Sequence, residues 1–128
     1  MDELVLIVDD HQKNVKLVRD VLSFAGFRTL EAGTGRDAIL LATQCGPDVV
    51  LMDIRLPDMD GTDALHALKR AHATASIPVV ALTSFAMKGD RERLLAAGFD
   101  GYLEKPISVR DFPDQVRGFC ATSSAGRR

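Results

Sequence analysis

Three runs of the chain, LVLIV at 4–8, VVLM at 49–52 and PVVAL at 78–82, are apolar at every position and show no polar alternation. A strand with one wet face alternates, so these runs predict strands covered on both faces, as in a parallel sheet held between two layers of helices. Two weaker runs, RTLE at 28–31 and GYL at 101–103, have the length and flanking turn residues of strands nearer a sheet edge. Between the runs the period changes. Val15, Val18, Val21, Leu22 and Ala25 recur at helical spacing up to Gly26, which suits the left-handed position after a helix. Ala38, Leu41, Ala42 and Cys45 repeat the pattern before the stop signal Gly46-Pro47. Further helices are predicted over 62–71 and over 90–97, the latter ended by Gly98. The last begins at Ser108, capped together with Asp111, and presents Val109, Phe112, Val116 and Phe119, with Pro113 expected to loosen its first turns.

Five strand–helix units with short connections and right-handed crossovers leave one economical solution. It is an α/β fold, an open five-stranded parallel sheet with helices on both faces, flavodoxin-like (βα)5, because five units are too few to close a barrel. The 128 residues make one domain, expected over 1–120, followed by a small, polar, disordered tail over 121–128. No apolar run approaches the roughly 18 residues of a membrane span. Met1 is followed at once by Asp2 and Glu3, unlike a secretory leader, so a soluble, cytoplasmic protein with no membrane contact is expected. A net charge of -2 with no block of Lys or Arg argues against direct nucleic-acid binding. Cys45 and Cys120 fit neither a disulfide framework nor a zinc spacing and are taken as ordinary thiols. His11, His66 and His72 lack partners at ligand spacing and are expected at the surface or on helices.

In such a sheet the ligand site lies beyond the carboxyl ends of the strands. The first strand delivers Asp9 and Asp10 there, the third Asp53, the fourth Thr83, and the fifth Lys105 followed by Pro106. Each residue alone has an ordinary explanation as a helix cap, a strand-end hydroxyl or a solvated charge. Together they form a set. Adjacent carboxylates at a strand end disfavour one another's ionisation unless a cation holds them. A hard divalent ion such as Mg2+ takes one or two carboxylates, keeps several waters and draws in a phosphoryl group. A carboxylate beside it can then act as nucleophile, with the metal, a hydroxyl and an ammonium neutralising the phosphoryl oxygens.

LIVDD, LMDIRLPDMDG, VVALTS and YLEKPI, in this order and across nearly the whole chain, resemble the CheY-like receiver domains of two-component response regulators. The segment TSFAMKGDRERLLAAGFDGYLEKPIS looks closer still to stand-alone receivers of the DivK type and to receivers of hybrid kinases. The resemblance implies that Asp53 is the phosphoacceptor, that Asp10 and Asp53 bind Mg2+ directly, with Mn2+ able to substitute, and that Asp9 acts through water. It further implies that Arg55 lends a backbone carbonyl to the metal, that Thr83 and Lys105 contact the phosphoryl group, and that Tyr102 is the switch aromatic. A cis bond between Lys105 and Pro106 is implied as well.

The implied function is a single-domain response regulator, not an enzyme. Its donor would be a histidine kinase or phosphotransfer protein, and its target would bind through helix 4, strand 5 and helix 5, roughly residues 87–119. The start at Met1 and the tail favour a stand-alone protein over a receiver excised from a hybrid kinase. Ser84 stands where Ala is commonest in the family, and Arg55 and Phe85 flank the site at positions that influence phosphoryl lifetime. Two rivals use similar sheets. An aspartyl-nucleophile phosphatase usually carries a second acid two residues beyond the nucleophile, where this chain has Arg55. A flavin carrier needs an amide-rich phosphate loop after the first strand, where this chain has the acidic DDHQKN.

Overall fold

The computed structural model describes residues 3–84 and 90–126, the side chains of 90 and 121–126 aside. Its elements alternate without exception: β1 (Leu4–Val8), α1 (Gln12–Phe24), β2 (Arg28–Ala32), α2 (Gly35–Cys45), β3 (Val49–Asp53), α3 (Gly61–Arg70), β4 (Val79–Thr83), α4 (Asp90–Ala97), β5 (Gly101–Glu104) and α5 (Phe112–Gly126). The strands form one parallel sheet in the order β2-β1-β3-β4-β5. The expected α/β fold is therefore the observed one, with β1, β3 and β4 in the interior of the sheet.

The missing alternation has a direct packing cause. Successive strand residues point to opposite faces, and both faces are dry. Leu6, Val8, Val50 and Met52 join Ala38, Ala42, Leu65, Leu68 and Leu94 in a core beneath α2, α3 and α4. Val5, Ile7, Val49 and Leu51 join Val15, Val18, Leu22, Phe112 and Val116 in a second core beneath α1 and α5. Gly26 follows α1 with φ 98°, a conformation that a Cβ disfavours, and lets the chain turn into β2.

The C-terminal region departs from the expectation in two ways. Ser108 accepts from the backbone of Asp111 at 3.3 Å, but it caps a separate turn, and α5 itself begins at Phe112. Pro113 consequently sits in the first turn, where its absent N–H has no intrahelical acceptor to lose, so it does not loosen the helix. The expected disordered tail from Ala121 is in part helix: α5 runs through Gly126. Small residues without proline do not break a helix already nucleated upstream.

The two cysteines are not equivalent. Cys45 is exposed at the end of α2, whereas Cys120 lies in the second core. Burial, reinforced by Asp48 and Glu3, pushes the Cys120 thiol up to about 12. Since only the thiolate reacts, a disulfide reagent at pH 8 is expected to modify Cys45 in the native protein and Cys120 only in denaturant. Equal rates for both thiols without denaturant would contradict this packing.

Candidate functional site

Four strands of the sheet, β1, β3, β4 and β5, end at one rim, and their termini build the site. Asp9 follows β1 and is buried, as is Asp53 at the end of β3. Lys105 directly follows β5 and is joined to Pro106 by a cis peptide bond. Its ammonium lies 3.1 Å from Asp9 Oδ2 and 3.1 Å from Asp53 Oδ2, so one cation bridges the two buried anions. The other oxygens are also engaged. Asp9 Oδ1 accepts the His11 backbone N–H at 2.9 Å, and Asp53 Oδ1 accepts the Arg55 backbone N–H at 2.9 Å. Asp10 is exposed beside them, and Thr83 is buried at the end of β4, its carbonyl accepting the Lys105 N–H at 2.8 Å.

Burial opposes ionisation of Asp9, but the His11 amide and the Lys105 ammonium outweigh it and hold the carboxyl below its ordinary 3.8. A carboxylate whose folded pKa is depressed stabilises the fold above its unfolded value, and that contribution is lost as pH falls through the folded one. Metal-free protein is therefore expected to lose stability as pH drops from about 3.8, and Asp9→Asn should flatten that limb of the curve. Urea midpoints measured against pH check this, and identical acid limbs would contradict it.

Ligand atoms of Asp9, Asp10, His11 and Asp53 lie within 4.8 Å of one another, close enough to share one ion. The donors are mostly hard carboxylate oxygens, the chemistry that suits Mg2+ or Mn2+, and the residues present fit such an ion. His11 is the unexpected member. Its ring Nδ1 is 3.1 Å from both Asp9 Oδ1 and Asp10 Oδ1, although the side chain is exposed as expected. No partner at sequence spacing signals this. The relevant cue is its place directly after the acidic pair, at the N-cap of α1. The rim opens into a cleft of about 470 Å³ lined by His11, Asn14, Asp53, Arg55, Ser84 and Lys105.

Arg55 lies in the β3–α3 loop, which folds back through an Arg55–Asp60 bridge and a Gly61 N–H to Ile54 carbonyl bond of 2.9 Å. A Cβ on Gly61 would come within 2.8 Å of Ile54 Cα and 2.9 Å of the Asp53 carbonyl, so glycine is what allows α3 to start this close to the site. Tyr102 is half-buried on β5 and packs against the core beneath α2, α3 and α4. Phe85 and the start of the expected output surface, residues 87–89, lie outside the described residues.

An open parallel sheet with this acidic rim is the CheY-like arrangement, and sequence comparison gives the class. Residues 5–117 match the response regulator receiver domain, and the chain belongs to that family of two-component signalling modules. The polar-differentiation response regulator DivK of Brucella ovis is 40% identical over 119 residues, covering 93% of this chain and 97% of that protein. Among solved structures, the receiver domain of the sensor histidine kinase PA1611 from Pseudomonas aeruginosa, with a magnesium ion coordinated in its active-site cleft, is 30% identical. It superposes with a TM-score of 0.86 over 94% of this chain and 99% of that one. The chemotaxis response regulator CheY4 of Vibrio cholerae is 25% identical with a TM-score of 0.86, over 93% and 99% of the two chains. No helix among the described residues is long and apolar enough to cross a membrane.

Proposed function

We propose that this receiver is a phosphorelay switch, not an enzyme with a free substrate, and that Asp53 takes the phosphoryl group. The observation that carries the reading is the shared ammonium: Lys105 sits 3.1 Å from one oxygen each of Asp9 and Asp53, where it can follow charge onto an incoming phosphoryl group. Asp10, Asp53 and the Arg55 carbonyl would hold Mg2+, or Mn2+ in its place. Asp9, held by the His11 amide and Lys105, would act through a bridging water, as the family resemblance implies. When bound, the ion neutralises the phosphoryl oxygens.

Asp53 attacks the phosphorus of a phosphohistidine on a histidine kinase or phosphotransfer protein. The new P–O bond forms as the P–N bond breaks, and the imidazole leaves with the bonding pair. Lys105 and the Thr83 hydroxyl then contact the phosphoryl oxygens. The added charge, about -1.5 to -2, draws Thr83 inward, and Tyr102 changes rotamer in response. The two arrangements of the α4-β5-α5 surface shift in population, and a cytoplasmic partner binds the phosphorylated one more tightly. The likeness to a sensor-kinase receiver supports a second reading of context, in which the same domain serves within a hybrid kinase.

Incubation with acetyl phosphate tests the chemistry. Phosphorylation is expected with Mg2+ or Mn2+ and is expected to vanish in excess EDTA; equal labelling in EDTA would refute the metal-dependent reading.

A further inference from the structure

The β3–α3 loop is tied to a distant element by a residue outside the acidic rim. Asp58 reaches the N-terminus of α2, where its two oxygens accept the backbone N–H of Gly35 at 2.8 Å and of Arg36 at 3.0 Å. The Gly35 amide is the main cause holding the Asp58 carboxyl below its ordinary value. The neighbouring Met59 packs so tightly on Gly35 that a Cβ there would lie 2.6 Å from Met59 Cγ. A different residue completes the cap of α2: Thr34 accepts the Asp37 N–H at 3.0 Å. The first turn of α2 thus has one cap from its own chain segment and one from the loop after β3.

That loop also governs Asp53. Its Arg55 N–H fixes Asp53 Oδ1, leaving Oδ2 to face Lys105, and its Arg55 carbonyl is the proposed metal ligand. The geometry points to Asp58 as a positioning residue that sets metal affinity by clamping this loop onto α2. The inference rests on the metal-dependent reading above. It follows the general behaviour of groups that orient ligands without touching the ion, whose removal typically weakens metal binding 10–100-fold.

The test separates clamping from simple helix capping. Mn2+ binding to metal-free protein is followed by the EPR signal of the free ion, with Mg2+ as competitor, at a temperature where every variant is folded. Asp58→Ala should weaken Mn2+ about tenfold or more. Asp58→Asn, which keeps one carbonyl acceptor, should lose less and carries the comparison if the alanine variant does not fold. Thr34→Ala should lower the unfolding temperature comparably, because it removes the other cap, yet bind Mn2+ as the wild type does. Wild-type affinity in Asp58→Ala, or an equal loss in Thr34→Ala, would overturn the assignment. Failure of the wild type itself to bind Mn2+ would instead overturn the functional reading beneath it.

Discussion

Asp53→Asn is expected to abolish phosphorylation by acetyl phosphate completely while leaving the fold intact. Asparagine preserves the shape at the end of β3 and keeps one carbonyl oxygen for the Arg55 N–H, which Asp53 Oδ1 accepts at 2.9 Å. It removes the anionic nucleophile, and no general base can restore that function to an amide. Stability should not fall. Asp9 and Asp53 are both buried and share one ammonium, so neutralising one relieves repulsion and leaves Lys105 paired with the other. Phosphorylation measured by intact mass, beside a urea melt of the same sample, checks both statements. Wild-type labelling of the variant would place the acceptor elsewhere.

Lys105→Ala has the largest expected effect on stability. The ammonium is the cation between two buried carboxylates, and removing one partner of a buried pair leaves charge uncompensated. In metal-free buffer the loss is expected at about 3 kcal/mol, the lower end for buried pairs because the lysine side chain keeps 18% of its exposure. Mg2+ should restore more stability to the variant than it adds to the wild type, since the ion supplies the charge that the lysine no longer does. Adding Asp53→Asn should recover part of the loss for the same reason. Denaturant melts with and without Mg2+ measure this; a variant as stable as wild type in EDTA would mean that the bridge contributes little.

Sequence legibility followed locality. The boundaries of β1 and the start of β3 were readable because burial on both faces writes an unbroken apolar run, and helix stops were readable because Gly26 and Gly98 take positive φ. The placement of the strand-end residues was readable too, since topology alone carries Asp9, Asp53, Thr83 and Lys105 to one rim. The start of α5 was not. Ser108 and Asp111 do form a capping contact, but it closes a turn four residues before Phe112, and nothing local distinguishes that turn from a helix start. The contacts of Asp58 leave no local signal, because its partners, Gly35 and Arg36, lie 23 and 22 residues away. His11 read as a surface residue because its Nδ1 contacts depend on how β1 hands over to α1, not on any spacing of ligands.

The most direct measurement is chemical mapping of the acceptor. Protein treated with acetyl phosphate and Mg2+ is reduced with borohydride, which converts an aspartyl phosphate to homoserine, then digested and sequenced by mass spectrometry. The arrangement of Asp9, Asp53 and Lys105 predicts homoserine at position 53 alone, absent when EDTA replaces Mg2+. Homoserine at Asp9 or Asp10, or a phosphoryl group retained on a chain whose Asp53 is unreduced, would contradict it.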